Sequence, residues 1–201
     1  PMEVLDVMKN RSNVCNYLDM PLQHCTDNML KAMRRGITRK RSDALIDEIR
    51  NKVPDITLRT TLISGFPGET EADFEEMKEW VAQKQFDRLG IFNYSHEENT
   101  HAYKLVDDVP DEVKQFRADE VMDIQSGISL DINQQKVGKT FKVLFDRVEG
   151  DYFVGRTEAD SPEVDNEVLV AKENNYIRIG DFANIEITKA EIYDLYGRPI
   201  G

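Results

Sequence analysis

The stretch Ile56-Thr57-Leu58-Arg59-Thr60-Thr61-Leu62-Ile63-Ser64-Gly65-Phe66-Pro67-Gly68-Glu69-Thr70 decides how this chain folds. Its first nine residues are rich in β-branched side chains and read as a strand ending at Ser64. Gly65-Phe66-Pro67-Gly68 then turns the chain. Thr70 with Asp73 has the spacing of a capping box, opening a helix that carries Phe74, Met77, Trp80 and Val81. Strand alternation puts Arg59, Thr61, Ile63 and Gly65 on one face and Leu58, Thr60, Leu62 and Ser64 on the other. Covering helices require Leu58 and Leu62, so Arg59 and Thr61 are expected to point into the interior of a barrel-type sheet. An interior arginine needs a partner, either a ligand carboxylate or a neighbouring acid such as Asp19.

The same rhythm extends in both directions. Met2–Lys9 reads as the tail of an amphipathic helix, and Val14–Met20 as a short buried strand halted at Pro21. Thr26 or Asp27 caps a helix through Met33, which Gly36 ends. Thr38 caps a second, with Ala44, Leu45, Ile49 and Val53 on one face, stopped by Pro54. Leu89–Tyr94 is a third strand, and Pro110 opens a long helix to about Gln135. Strands separated by helices pair in parallel through right-handed crossovers. Three such strands close no barrel, and a full eight-stranded one takes ~250 residues, so the missing strands are expected upstream.

After Val137 the spacing shortens. Thr140–Val148, Tyr152–Thr157, Val168–Ala171, Tyr176–Ile179 and Ala183–Ala190 read as five short strands of a small antiparallel β-barrel. The fold class is therefore α/β plus all-β, with residues 1–136 forming the α/β part and 137–201 the barrel.

The 201 residues carry 26 basic and 38 acidic side chains, a net charge of −12. There are 18 basic against 25 acidic residues up to Lys136, and 8 against 13 beyond it. Acidity in both parts disfavours phosphate-backbone binding and favours a basic partner. The one basic cluster is Lys31, Arg34, Arg35, Arg39, Lys40 and Arg41, with no acid between Asn28 and Ser42. It is either a solvated face or a dock for an acidic group. No apolar run reaches the ~18–20 residues of a membrane span and no signal-peptide pattern opens the chain, which points to the cytoplasm. Cys15 and Cys25, with nine residues between them, match neither a zinc site nor an iron–sulfur loop, so no metal ligands are expected.

Ligands of parallel α/β sheets bind at the carboxyl ends of the strands. Three segments fall there: Asp19–His24, Ser64–Glu69 and Asn93–His96. In the first, Tyr17-Leu18-Asp19-Met20-Pro21-Leu22-Gln23-His24 is followed by Leu30-Lys31-Ala32-Met33-Arg34-Arg35, and the tail holds Tyr193-Asp194-Leu195-Tyr196-Gly197. Together with the Leu58–Thr70 run, these resemble the radical S-adenosylmethionine methylthiotransferases, most closely the RimO type.

The resemblance implies the C-terminal half of a partial, TIM-like (β/α) radical-SAM barrel followed by an OB-like TRAM domain. It implies cleavage of S-adenosylmethionine to a 5′-deoxyadenosyl radical, hydrogen abstraction, and methylthiolation of an aspartate on the twelfth small-subunit ribosomal protein. The alternative is a tRNA methylthiotransferase whose TRAM domain binds RNA. Carried over by residue, Ile63 would lie against the adenine, with Thr61 and Gly65 on the same motif strand. Gln23 would face ribose or substrate, Arg59 the methionine carboxylate, and Tyr94 would close the pocket. His24, His96 and His101 read as surface or rim residues. Asn99-Thr100 stands where relatives often carry Gly-Thr, a change that asparagine's tolerance of positive φ accommodates.

The resemblance also implies two 4Fe-4S clusters, whose cysteines are not in this chain, so by itself it is expected to catalyse nothing and no catalytic residue is assigned. The acids Glu158, Asp160, Glu163 and Asp165 are expected to grip a basic ribosomal protein, in preference to RNA.

Overall fold

The computed structural model describes residues 2–173 and 175–200. Its elements are α1 (Glu3–Asn10), β1 (Tyr17–Asp19), α2 (Asp27–Ala32), α3 (Arg39–Lys52), β2 (Thr57–Ser64), α4 (Glu71–Lys84), β3 (Arg88–Asn93), a 3₁₀ turn (Ala102–Lys104) and α5 (Asp111–Gln134). Five strands follow: β4 (Thr140–Glu149), β5 (Tyr152–Arg156), β6 (Val168–Ala171), β7 (Phe182–Ala190) and β8 (Leu195–Pro199). The chain divides into two compact units, one of residues 1–9 and 18–125, the other of residues 10–17 and 126–201. The division runs through α5, so the last nine residues of that helix, from Ser126, belong with the β-strands.

In the first unit β1, β2 and β3 form one sheet in that order, and β2 pairs with β3 in parallel from Arg59↔Arg88 to Ser64↔Asn93. Burial along β2 alternates as its sequence requires. Leu58, Thr60, Leu62 and Ser64 are buried, while Arg59, Thr61 and Ile63 are half-buried on the opposite face. The helices take up the first set. Phe74, Met77, Trp80 and Val81 of α4 are almost wholly buried, with Trp80 set edge-on to Phe86 at a centroid distance of 5.3 Å. The indole Nε1 of Trp80 donates to Asp43 Oδ1 at 2.8 Å, and Arg39 and Lys84 close on the same carboxylate. Burial alone would raise the pKa of Asp43; the hydrogen bonds from Trp80, Lys84 and Arg39 outweigh it and hold the carboxyl below its ordinary range.

The α4 capping box is complete: Asp73 N donates to Thr70 Oγ1 at 3.2 Å and Thr70 N to Asp73 Oδ2 at 3.0 Å. Two expectations for this unit need correction. The first strand is three residues long rather than seven, because Val14 and Cys15 are exposed and make no ladder. The buried stripe of α3 is Ser42, Ile46 and Ile49, continued by Val53, while Ala44 is exposed and Leu45 only half-buried.

The second unit is a closed barrel with strand order β4-β5-β6-β8-β7, packed on Val143, Phe145, Val168, Val170, Ile185, Ile187 and Leu195. Five strands are present as expected, but one is different. Tyr176–Ile179 makes no ladder: Ile177 plugs the core while Tyr176 is 88% exposed, and Gly180 N donates to Phe145 O in the turn that follows. Both edges of β4 are already paired, to β5 and β7, so no edge is left for that segment. The fifth strand is Leu195–Pro199, which closes the barrel in parallel with β6 and antiparallel with β7.

Candidate cofactor-binding site

The carboxyl ends of β1, β2 and β3 bring the expected segments together within the first unit. Gln23 is held by the backbone on both sides: its N–H donates to Thr61 O at 2.9 Å and its carbonyl accepts from Ile63 N at 2.8 Å. This isolated bridge requires a φ of +73° at Gln23, a conformation a glutamine adopts only when its surroundings enforce it. It leaves the Gln23 side chain half-buried beside Thr61 and Ile63. Arg59 has its Nε 3.8 Å from Asp19 Oδ2, the neighbour anticipated for it.

Gly65 sits at φ +69° and is buried where α5 comes closest: a Cβ added to it would meet Lys114 Cγ at 2.1 Å. Tyr94 donates its backbone N–H to Ser64 O at 2.8 Å and stacks edge-on against Phe66 with centroids 5.1 Å apart. Thus Gln23, Thr61, Ile63, Gly65 and Tyr94 gather toward the carboxyl end of the sheet, while Arg59, paired with Arg88 at the start of β3, lies farther down β2 on the same half-buried face as Thr61 and Ile63. The half-buried face of β2 thus sets the polar Thr61 and the apolar Ile63 beside Gln23.

Beneath the turn lies a charged cluster that the sequence pattern gave no reason to expect. Glu69 has a fully buried carboxylate that accepts from Gly65 N–H. Arg117 Nη1 faces Glu69 Oε1 at 3.4 Å and donates to the Glu69 carbonyl at 3.2 Å, and its Nη2 reaches Glu71 at 3.1 Å. Burial pushes the Glu69 carboxyl up, and Arg117 pulls it back. His24 is corrected from a rim residue to a core one. It is 1% exposed, and its Nδ1 accepts from Thr26 N at 3.1 Å, so Nε2 carries the proton. Burial lowers its pKa to about 4, against a raising effect from Asp73. His96 and His101 are exposed as expected. Asn99 adopts φ +66°, in keeping with its place where a glycine is common.

Of the acids assigned to substrate, Glu158 and Glu163 are exposed on the barrel. Asp160 and Asp165 are turned inward. Asp160 Oδ2 accepts from Thr157 Oγ1 at 2.5 Å, and Asp165 Oδ2 from Ser161 N at 2.8 Å and Tyr17 OH at 2.7 Å.

The cysteines do not suit an iron–sulfur cluster. Cys25 is buried with its thiol pushed up to about 12 by that burial, and Cys15 is exposed. Among the described residues no group of three His, Cys, Asp or Glu side chains is placed to hold a metal ion, and no helix is long and apolar enough to cross a membrane.

Residues 1–81 match the Radical SAM superfamily and residues 137–200 the TRAM domain. The chain is 58% identical over 200 residues to the ribosomal protein uS12 methylthiotransferase RimO of Christiangramia forsetii, covering 100% of this chain and 44% of that protein. The protein of the same name from Flavobacterium psychrophilum is 57% identical, with 99% and 46% covered, and that from Chlorobaculum tepidum 51% identical, with 100% and 46% covered. The chain belongs to the RimO type of the radical S-adenosylmethionine methylthiotransferases. It spans less than half the length of these relatives. Among solved structures, the radical SAM enzyme coproporphyrinogen III oxidase (HemN) from Escherichia coli aligns with a TM-score of 0.54 at 20% identity, over 92% of this chain and 44% of that one. That likeness is one of fold. A radical-SAM sheet followed by a TRAM barrel accounts for both units and for the change of rhythm near Val137.

Proposed function

We propose that this chain supplies the adenosyl-side strands and the TRAM barrel of an enzyme that methylthiolates an aspartate of ribosomal protein uS12. The observation that carries this reading is 58% identity along the chain to a protein named for that reaction. Bound S-adenosylmethionine, with its iron–sulfur partner, supplies the one-electron chemistry by which hydrogen leaves an unactivated carbon. Two 4Fe-4S clusters would be held by cysteines outside these 201 residues, since Cys15 and Cys25 are unsuited to them. On its own the chain is expected to be inactive.

The residues present bind and orient. Ile63 offers an apolar surface to the adenine, and Gly65, lacking a Cβ, lets Lys114 pack against the turn that follows β2 and so fixes the rim beside it. The Arg59 guanidinium, oriented by Asp19, takes the methionine carboxylate, a pairing that suits a half-buried arginine. Gln23 presents its amide to the ribose from a backbone fixed on both sides, with Thr61 between them, and Tyr94 closes the third-strand side. On the barrel, Glu158 and Glu163 face the basic ribosomal protein, while Asp160 and Asp165 hold the shape of their loop. The setting is the cytoplasm.

The test uses the complete enzyme reconstituted with iron and sulfide and given S-adenosylmethionine. A methylthio mass increment on an aspartate of the ribosomal protein is the expected result. The same increment on tRNA instead would replace this reading with its alternative.

A further inference from the structure

The basic stretch between Asn28 and Ser42 takes no part in the function just proposed, yet it is the exception in a chain of net charge −12. The fold sorts its six cations by use. Arg39 is engaged internally, with Nε 3.0 Å from Asp43, Nη1 2.9 Å from Glu76, and its guanidinium 5.4 Å from the centre of the Trp80 ring. Arg35 donates Nη2 to Pro21 O at 2.7 Å and so holds the loop after β1. Lys31, Arg34, Lys40 and Arg41 are exposed and have no ion-pair partner among the described residues. Four exposed, uncompensated cations within eleven residues form a local positive field that the surrounding acids do not cancel.

A second feature adjoins them. Arg34 lines an open depression of about 600 Å³ with Asn99, Thr100, His101, Tyr103 and Lys104, in the loop that follows β3; Glu98 is the acid on its wall. Tyr103 is 45% exposed there. Its ring lies 4.6 Å from that of His96, which lies 6.0 Å from Tyr94, which in turn packs on the buried Phe66. An aromatic column therefore leads from the turn after β2 out to the depression and braces Tyr103 at its surface. Cations alone attract any polyanion. Cations beside an exposed, braced aromatic ring suit single-stranded nucleic acid, whose phosphates take the charges while a base takes the ring face.

We infer that the α/β unit carries a docking surface for single-stranded RNA, with Lys31, Arg34, Lys40 and Arg41 contacting phosphates and Tyr103 stacking on a base. The inference goes beyond the methylthiolation reading and does not depend on it. It assigns RNA contact to the α/β unit, where the TRAM barrel has 8 basic against 13 acidic residues beyond Lys136. A protein substrate presented on RNA would then be met through both of its components.

The test is fluorescence anisotropy of this chain with an end-labelled, mixed-sequence single-stranded RNA, with no turnover required. About four phosphate contacts imply a slope near −3 in log affinity against log salt, so binding should weaken about 50-fold between about 50 and about 200 mM potassium chloride. Lys31→Gln, Arg34→Gln, Lys40→Gln and Arg41→Gln together should abolish most of the binding and flatten that slope. Tyr103→Leu should weaken binding about tenfold and leave the slope unchanged, a signature of stacking rather than charge. Lys142→Gln with Lys189→Gln, on the barrel, should change neither. All these side chains are exposed, and unchanged melting curves confirm that the variants fold. The inference is overturned by absence of RNA binding, by full binding in the fourfold variant, by loss of binding in the barrel variant, or by polyglutamate binding as tightly as RNA.

Discussion

Gly65 and the side chain of Lys114 are packed so closely that a Cβ on the glycine would lie 2.1 Å from Lys114 Cγ. Other contacts lock the same pair of segments. Ser64 Oγ donates to Lys114 O at 2.7 Å, and Lys114 Nζ reaches Asp107 at 2.8 Å and Asp111 at 3.1 Å, with the side chain 3% exposed. The first turn of α5 therefore fixes the turn after β2. Gly65→Ala should destabilise the α/β unit by roughly 2–4 kcal/mol, combining a left-handed backbone with overpacking. Because the clashing atom is in a side chain, the loss should shrink to the backbone part, about 1–2 kcal/mol, in a Lys114→Ala background. Urea unfolding of the four variants reads this directly. Equal losses in both backgrounds would show that Lys114 is not the obstacle.

His24 makes stability depend on pH. Its folded-state pKa of about 4 lies below the ordinary 6.5 because burial disfavours the imidazolium, with Asp73 and Arg117 as its charged neighbours. Between those two values the unfolded chain binds a proton that the folded chain refuses. Stability conferred by the neutral ring is thus complete above pH 6.5 and is lost as pH falls toward about 4, by about 3 kcal/mol in all. His24→Gln should be less stable at pH 7 but show a flatter profile over this window. Denaturation midpoints at pH 7 and pH 4.5 would decide it, and parallel profiles for the two proteins would exclude His24 as the cause.

Arg59 offers a test of the cofactor assignment. If its guanidinium takes the methionine carboxylate, Arg59→Gln in the complete enzyme should weaken S-adenosylmethionine binding by about 10- to 100-fold, the range for a lost charge-assisted hydrogen bond. Asp19 lies 3.8 Å from Arg59 Nε and is half exposed, so its own loss should matter less. Calorimetric titration with S-adenosylmethionine measures both. An affinity unchanged in Arg59→Gln would overturn the assignment of this arginine to the methionine carboxylate.

The α/β unit was legible in the sequence wherever local chemistry and tertiary demand agree. The alternation of β2, the Thr70/Asp73 capping box and the Trp80 stripe all follow from periodicity and capping, and all are present. The cluster of His24, Glu69 and Arg117 was not legible, because its members are separated by 45 and 48 positions and nothing local draws them together; the fold around the turn at Gly65, which Glu69 accepts from and Arg117 faces, does. The barrel shows the converse. Tyr176–Ile179 has a strand's composition but no edge to pair with, whereas Leu195–Pro199 contains a glycine and a proline and still closes the sheet. Gly197 explains why: a Cβ there would lie 2.3 Å from Ile185 Cγ2 and 2.7 Å from Glu186 O, so the residue that weakens strand propensity is the one that permits closure.

Gly155 and Gly127 belong to the same unit and should respond oppositely to the same substitution. On β5, a Cβ at Gly155 would meet the backbone oxygen of Leu144 at 2.5 Å and Val143 Cγ1 at 2.7 Å. The nearer obstacle is main chain in a paired strand and cannot swing aside, so Gly155→Ala should cost about 2–3 kcal/mol. Gly127 is exposed within α5, and a Cβ there meets nothing within 4 Å. Gly127→Ala should therefore stabilise by about 0.5–1 kcal/mol, through reduced freedom of the unfolded chain and better helix propensity. Thermal melts of the two variants beside the parent give the signs at once. A loss of stability in Gly127→Ala, or none in Gly155→Ala, would mean that the close approach of β4 to β5 and the open face of α5 have been assigned the wrong way round.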